Sequence, residues 1–222
     1  MAVFHRLGGY AGLLFVLALS GPVQAAPLKI AVSDGPAPVP DAVVSLHAEA
    51  VPLQGGEAVM DQRNSAFEPG VLAVQVGTRV SFPNSDTVQH QVYSFSAPKP
   101  FELPLYSGTP QAPVLFDRPG VVVVGCNIHD WMIGYIVVLE TPYFGKTDAQ
   151  GRVAVAAPPG KYRLRVWHAR QKAPLADRDV VIGPGQVPVD LSLALGPAPP
   201  LRQGSERLRA LQEKLRSLKR DP

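Results

Sequence analysis

Proline and glycine interrupt this chain so often that long helices have little room to form. Its 222 residues include 24 prolines and 20 glycines, together about a fifth of the sequence. Both residues favour turns, so this composition is typical of short strands joined by turns. Between residues 26 and 200 no segment has apolar residues at good helical spacing. The sequence therefore predicts an all-β sandwich or barrel.

Many short segments have the apolar alternation or the β-branched content of strands. One of them, residues 120–124, carries four consecutive valines, and we expect it to be buried on both faces. The predicted strands are 28–32, 41–46, 71–76, 79–82, 90–95, 120–124, 134–139, 152–156, 162–167, 180–182 and 189–195.

The first 25 residues are predicted to be a secretory signal. Arg6 supplies a positive start, residues 13–19 are continuously apolar, and residues 23–25 place small side chains at the cleavage positions. The apolar run is short for a membrane span, although an uncleaved anchor is the alternative. We therefore expect cleavage after Ala25 and a mature protein in the periplasm.

Cysteine and charge each exclude a class of protein. Cys126 is the only cysteine, which excludes a disulfide framework and any metal site built from cysteines alone. In an oxidising compartment a lone cysteine should be buried, reactive or bound to a metal. Residues 26–200 carry 13 Lys and Arg against 15 Asp and Glu, whereas residues 201–222 carry seven against three. Because the positive charge is so local, we expect no nucleic-acid partner.

The most informative motif follows the valine run. In steps of three residues it presents a thiol, an imidazole and a thioether, from Cys126, His129 and Met132. Two soft sulfur donors and an imidazole suit copper, and a trigonal copper site requires a second nitrogen. The other histidines beyond the signal are His47, His90 and His168.

Among these three, His90 is the favoured candidate for the second nitrogen. It follows the turn-like residues 83–86, where a sandwich would bring a distant ligand to the same end. Taken singly, each of these residues is more often an ordinary core or surface residue. Their joint spacing, together with the secretory signal, favours copper.

These motifs resemble the cupredoxins, or type 1 blue copper proteins, and most closely the amicyanin type. That subgroup has Cys-x-x-His-x-x-Met on one loop and an Asn six residues before the first His ligand, as Asn84 precedes His90. Residues 74–82 are similar to the family's strand–glycine–strand approach, and the resemblance covers residues 57–140. Gln91 stands where the family usually has Asn. The chain also resembles small secreted proteins often labelled methylamine utilisation proteins.

The resemblance implies a Greek-key cupredoxin β-sandwich that holds one type 1 copper per chain. His90, Cys126, His129 and Met132 would be the ligands, with Cys126 as the strongest donor and Met132 as the weak axial one. It also implies that His129 lies nearest the surface and passes the electron. Trp131 is expected either in an apolar rim around His129 or in the core.

A second resemblance concerns the flanks of this unit. Residues 147–164 look like the second half of a carboxypeptidase-regulatory-like, transthyretin-like sandwich, and residues 29–44 look like its first half. We therefore predict a second small β-sandwich from residues 26–56 and 141–195, split by the cupredoxin unit. The alternative assigns the N-terminal strands to the cupredoxin itself.

The C-terminal part differs in composition from the rest. Residues 196–204 form a Pro-rich linker, and a basic amphipathic helix is predicted over residues 205–220. We expect this helix to dock on a redox partner or peripherally on a membrane, the alternative being a solvated, frayed tail. Its apolar stripe, spaced 3, 4 and 3, consists of Leu208, Leu211, Leu215 and Leu218.

The functional prediction is a periplasmic electron carrier that passes single electrons between protein redox partners of unspecified identity. The alternative is a copper-binding carrier or sensor module, but only Met60 and Met132 remain beyond the signal to build a Met-rich site. We expect no enzyme. Four histidines beyond the signal, two of them already assigned, cannot build a trinuclear oxidase cluster, and no hydrolase nucleophile motif is present.

Overall fold

The computed structural model describes residues 26–49, 51–110 and 112–198. This part of the chain is all-β and has no helix, so it contains no helix able to cross a membrane. The predicted signal at 1–25 and the predicted helix at 205–220 lie outside the described residues. The linker is described only as far as Ala198.

The described residues form eighteen strands. The first nine are β1 (Leu28–Asp34), β2 (Ala37–Pro38), β3 (Val43–His47), β4 (Gly56–Val59), β5 (Asp61–Arg63), β6 (Ala66–Glu68), β7 (Val71–Gln75), β8 (Thr78–Ser81) and β9 (His90–Ser94). The remainder are β10 (Phe101–Tyr106), β11 (Val114–Phe116), β12 (Gly120–Gly125), β13 (Ile133–Leu139), β14 (Phe144–Lys146), β15 (Arg152–Val155), β16 (Gly160–Trp167), β17 (Arg178–Ile182) and β18 (Val189–Ser192).

The middle of the chain, β4 to β13, forms a unit that we call the inserted sandwich. Its five-stranded sheet has the order β10-β9-β12-β13-β7, and its three-stranded sheet has the order β11-β8-β4. The strands β5 and β6 form a separate hairpin. The two sheets enclose an apolar core that includes Met60, Phe82, Val92, Phe116, Val122 and Ile136.

The two ends of the chain together form a second unit, the split sandwich. Its first sheet has the order β15-β1-β18, with β2 paired to β1, and its second has the order β14-β3-β16-β17. Leu28 in β1 thus pairs with Val155 in β15, and Val44 in β3 pairs with Val166 in β16. In the described residues β1 and β3 pair only with strands of this unit.

The ends of the insertion lie close together. Leu46 precedes the inserted strands and Thr141 follows them, and the Thr141 hydroxyl donates a hydrogen bond of 2.7 Å to the Leu46 carbonyl. A unit whose ends meet can be inserted into a host sandwich without opening its sheets. This contact explains how the split sandwich keeps one core on either side of about ninety intervening residues.

One expectation about burial is wrong. In β12 only the inward face is fully buried, with Val122 and Val124 inaccessible, whereas Val123 is 41% exposed on the opposite face. The β-branched run predicts a strand correctly, but composition cannot show whether anything covers the second face. The outward face of this sheet is therefore a surface over part of its extent.

The split sandwich covers the other part of that outward face. Val43 joins Val71 and Val137 in a small apolar cluster between the two units. The rings of Tyr135 and Trp167 lie 5.6 Å apart in the same contact. The covered strands are β7 and the second half of β13, so the outward face is half interface and half exposed.

The fit of the two halves of the split sandwich can be tested at Gly151. This residue has a φ of +71°, and a Cβ atom there would lie 2.4 Å from the Val32 carbonyl oxygen of the N-terminal half. Gly35 also has a positive φ, +58°, but nothing lies within 4 Å of its Cβ position. We expect Gly35→Ala to cost about 1 kcal/mol through conformation alone.

Gly151→Ala should cost about 1–3 kcal/mol more than Gly35→Ala, because it adds steric overlap to the same strain. Chemical denaturation of both variants followed by circular dichroism measures the difference. Equal losses in the two variants would contradict the close packing of Gly151 against β1.

Candidate metal centre

The loop that connects β12 to β13 carries three of the predicted ligands. The two strands pair in antiparallel register up to Gly125 opposite Ile133, so residues 126–132 close a hairpin. Two successive turns, at 127–128 and 130–131, separate Cys126, His129 and Met132. Each of the three predicted ligands therefore lies directly before or after a turn. The Met132 amide donates to the His129 carbonyl at 2.8 Å and fixes the second turn.

The fourth predicted ligand, His90, begins the neighbouring strand. β9 pairs with β12 at Tyr93 opposite Gly125, which brings the start of β9 alongside the loop. The His90 side chain is completely buried. Its Nδ1 atom lies 3.9 Å from the Cys126 sulfur. The structure thus brings together two residues that are 36 positions apart.

Three donor atoms converge in this place. One side-chain donor each from His90, Cys126 and His129 lies within 4.8 Å of the others. The two imidazole rings meet edge to face with centroids 4.8 Å apart. The Nδ1 atom of His129 is buried although the residue is partly exposed. The predicted ligands His90, Cys126 and His129 therefore form one cluster.

The remaining predicted ligand, Met132, is also on the inner side of the loop. It is 1% exposed and belongs to the same apolar cluster as Cys126. It is the last residue of the loop before β13. Its role as an axial ligand belongs to the proposal below.

The separations fit a shared metal ion. Metal–sulfur and metal–nitrogen bonds of about 2.3 and 2.0 Å, the lengths known for zinc with these donors, put the two donors about 3.7 Å apart at a trigonal angle. The observed 3.9 Å between the Cys126 sulfur and the His90 nitrogen matches this value. Two imidazoles, one thiolate and an axial thioether are the donor set of a type 1 copper site, and Met132 supplies a buried thioether on the same loop. The residues present therefore fit such a site.

Asp86 orients His90. Its carboxylate accepts a hydrogen bond of 2.7 Å from the His90 Nε2 atom, which leaves Nδ1 directed at Cys126. It also accepts bonds of 2.6 and 2.8 Å from the amides of Asn64 and Ser65. Burial raises the pKa of Asp86, but the hydrogen bonds from Ser65, His90 and Asn64 outweigh it and leave the pKa below its ordinary value. Asp86 is therefore an ionised acceptor that fixes the tautomer of His90.

The turn at residues 64–65 supports both histidines. Asn64 and Ser65 adopt left-handed conformations, with φ of 53° and 52°, at the tip of the β5–β6 hairpin. Their amides hold Asp86, and the Ser65 carbonyl accepts a hydrogen bond of 3.2 Å from the Trp131 indole. The Trp131 ring packs at 5.1 Å from the His129 ring. One turn thus steadies His90 through Asp86 and His129 through Trp131.

Neither this turn nor Asp86 was predicted from the sequence. The available signals were an Asn-Ser pair between two short polar segments and an Asp four residues before His90. Neither is specific by itself. Their meaning depends on a contact between loops more than twenty residues apart.

Two large apolar side chains are exposed on the loop near His129, together with the polar residues Asn127 and Asp130. Trp131 is 47% exposed and Ile128 is 51% exposed. This outcome decides between the two expectations for Trp131, since the ring lies in a rim beside His129 and not in the core. This end of the inserted sandwich therefore presents a partly exposed imidazole beside an apolar rim of Ile128 and Trp131.

Other candidate residues have different positions. The alternative nitrogen donors lie in the split sandwich, His47 at the end of β3 and His168 just after β16. Asn84 is buried, and its side-chain amide donates to the carbonyls of Val88 and Tyr106, which holds the loop before His90. Gln91 donates a hydrogen bond of 2.6 Å to Glu102 on the neighbouring strand β10.

A tyrosine lies opposite His90 in the sheet. Tyr106 pairs with His90 across β10 and β9, and its hydroxyl donates to the Phe82 carbonyl while accepting from Gln62. Burial raises the pKa of Tyr106 to about 12, although the hydrogen bond from Gln62 acts in the opposite direction. The hydroxyl therefore stays protonated and holds Phe82 and Gln62 beside His90.

Comparison with family models finds no match, and comparison with curated protein sequences finds none either. Comparison with solved structures does find similar chains. A Cu-containing nitrite reductase from Thermus scotoductus is 28% identical over 43% of this chain, with a TM-score of 0.36. The matched part is only 25% of that reductase.

Two smaller chains match over nearly their whole length. A purple cupredoxin from Nitrosopumilus maritimus is 24% identical over 37% of this chain and 99% of its own, with a TM-score of 0.34. A reduced mutant of amicyanin is 21% identical over 43% of this chain and 98% of its own, with a TM-score of 0.35. In each case less than half of this chain is matched.

The role of Asp86 can be tested by Asp86→Asn. The amide offers only one acceptor atom, so it cannot hold His90 and both backbone amides as the carboxylate does. We expect metal affinity to fall about 10- to 100-fold, as when comparable hydrogen-bond partners of metal ligands are removed. Competition titration with a chelator measures the affinity.

Asp61→Asn is the matched control. Asp61 also accepts a hydrogen bond from a backbone amide, that of Gln62, but its other hydrogen bonds come from the Ser85 hydroxyl and the Arg63 guanidinium and none comes from a histidine. Its substitution should change the affinity by less than threefold, a margin of about 0.6 kcal/mol. Equal losses of metal affinity in both variants would show that Asp86 stabilises the loop and does not act by orienting His90.

Proposed function

We propose that this protein binds one copper ion through His90, Cys126, His129 and Met132 and carries single electrons between protein partners. The observation that carries the proposal is the cluster of one thiol and two imidazoles, with a sulfur–nitrogen separation of 3.9 Å. When bound, copper alternates between Cu(I) and Cu(II) and so accepts and releases one electron. In this proposal the unit from β4 to β13 is a cupredoxin of the amicyanin type.

The protein residues keep the donor geometry constant. Cys126 is fixed at the end of β12, His90 is held by Asp86, and the turn at 64–65 braces the side of the site near Trp131. A donor set that is already fixed before binding does not have to rearrange when the charge of the ion changes. The rigidity of these supports favours electron transfer over a role that requires ligand exchange.

The burial of the ligands also distinguishes an electron carrier from a metal-delivering carrier. His90, Cys126 and Met132 are each at most 2% exposed, and His129 is the ligand that reaches the surface. A protein that hands over its metal needs donors that an acceptor can approach. Here only one imidazole edge is accessible, which suits an electron port better than a point of metal release.

The remaining parts of the proposal concern setting and partners. The predicted signal at 1–25 supports a periplasmic location. The apolar rim of Ile128 and Trp131 suits transient docking of a protein redox partner, and the basic segment 205–220 would attract an anionic partner or membrane surface. We propose a carrier without an enzymatic activity of its own. We further propose that the split sandwich is a carboxypeptidase-regulatory-like unit.

The proposal is tested by the visible spectrum of the copper-loaded chain and two of its variants. Wild type should show a strong thiolate-to-Cu(II) absorption band and bind about one copper per chain, as a type 1 site does. Cys126→Ser removes the anionic sulfur and should abolish the band. Met132→Leu removes only the weak axial donor and should keep both the copper and the band, with a changed reduction potential.

The two variants are matched because both residues are buried at opposite ends of one loop. Loss of copper in both, or a band that survives Cys126→Ser, would contradict the proposed roles. A colourless wild type that holds Cu(I) and resists oxidation would favour the carrier or sensor.

A further inference from the structure

We infer that the C-terminal leucine segment, residues 205–220, binds the exposed half of the outward face of the five-stranded sheet. We call this exposed half the outer-face patch and define it by Tyr93, Phe95, Val123 and Ile133. The occupant is therefore part of the same chain. The inference concerns a surface distinct from the metal ligands and does not depend on the proposed function.

The outer-face patch is apolar and shaped to receive a side-chain ridge. Phe95 is 87% exposed, Ile133 52% and Val123 41%, and the Tyr93 and Phe95 rings pack 5.2 Å apart. Gly125 lines the same groove. A Cβ atom at this position would lie 3.0 Å from the Tyr93 ring. The resulting groove has a volume of about 320 Å³, and no charged residue lines it. An apolar, uncharged groove on a sheet face selects an apolar ligand.

The patch continues an interface that already exists. Val123 pairs with Tyr135 across β12 and β13, and Tyr135 packs on Trp167 of the split sandwich. The same sheet face is therefore covered on one side by another part of this chain. A further segment of the chain that covered the other side would complete the burial of the face.

The described chain ends on the covered half of the same sheet face, next to the patch residue Ile133 along β13. Leu195 lines a cavity of about 510 Å³ together with Tyr135 and Val71, and the Gly196 amide donates to the Arg170 carbonyl at 2.7 Å. Ile133 lies two residues before Tyr135 on the same face of β13, a distance of about 7 Å. Residues 199–204 can span about 20 Å when extended. The segment that follows can therefore reach the patch without strain.

The dimensions and chemistry of the segment agree with this placement. As a helix, residues 205–220 would carry four leucines on one stripe about 15 Å long. The patch extends over β9, β12 and β13, about 10 Å across two strand spacings. An isolated helix of sixteen residues is marginal in water, so it gains most from an apolar surface to pack on. Its Lys and Arg side chains would point to solvent.

This docking would place positive charge next to the metal end of the molecule. Residues 201–222 carry seven Lys and Arg against three Asp and Glu. Gly125, at the centre of the patch, directly precedes the ligand Cys126. The basic face of the segment would then attract an anionic partner to the side of the site, while the apolar rim around His129 stays open.

Hydrogen–deuterium exchange of the full-length chain, followed by mass spectrometry, tests the inference. Amides of residues 205–220 should exchange at least about tenfold more slowly than in a synthetic peptide of residues 199–222. Phe95→Asp and Ile133→Asp, which place a charge in the patch, should each return exchange to the peptide rate. Val181→Asp is the matched control, because Val181 is 64% exposed on β17 of the split sandwich and should leave the protection unchanged.

The reciprocal variant is Leu211→Asp, which should increase exchange in β9 and β12 next to the patch. Circular dichroism confirms that each variant is folded, and Phe95 is so exposed that its substitution should not affect folding. Three results would overturn the inference. The first is that residues 205–220 of wild type exchange as fast as the synthetic peptide. The second is that their protection persists in both patch variants. The third is that the protection disappears on dilution and sedimentation shows a dimer, which would assign the patch to a second copy of the chain.

Discussion

The antiparallel register of β12 and β13 is the constraint on which the site depends. Because Gly125 pairs with Ile133, the intervening loop must begin at Cys126 and end at Met132, both directed into the core. A shift of the register by one residue would turn the valines of β12 and the flanking ligands to the opposite face. Gly134 helps to hold this register, since a Cβ atom there would lie 3.0 Å from both Phe67 and Val124.

A second element, the turn at residues 64–65, converts this hairpin into a rigid site. It anchors Asp86 and therefore His90, and through the Trp131 indole it supports the exposed side of the loop. The ligands thus come from two segments, but their supports meet in one turn. Such sharing keeps the relative positions of the two histidines fixed even where His129 reaches the surface.

Local apolar alternation predicted eleven of the eighteen strands and missed β2, β4, β5, β6, β10, β11 and β14. The spacing of Cys126, His129 and Met132 is read directly from the sequence, so these candidates needed only side-chain type to be recognised. His90 was favoured among three histidines by its preceding turn, and it lies in the cluster. Asp86 and the 64–65 turn could not be predicted, since their roles arise from loop contacts across more than twenty residues. The expected burial of both faces of residues 120–124 was wrong because a valine run does not show what covers its second face.

That second face connects the architecture to the proposed function. The split sandwich covers the part of the sheet farther from the metal end through Val43 and Trp167 and leaves Val123 and Ile133 exposed. Insertion of one sandwich into another therefore does more than join two units. It fixes which part of the sheet surface near Cys126 stays available for binding.

The most direct test of the central claim is X-ray absorption of the copper-loaded chain in both oxidation states. We predict a first shell of one sulfur and two nitrogen donors in Cu(I) and in Cu(II), with nearly unchanged distances, because the ligands are fixed before the electron arrives. A first shell without sulfur, or one that gains or loses a nitrogen between the two states, would contradict this claim.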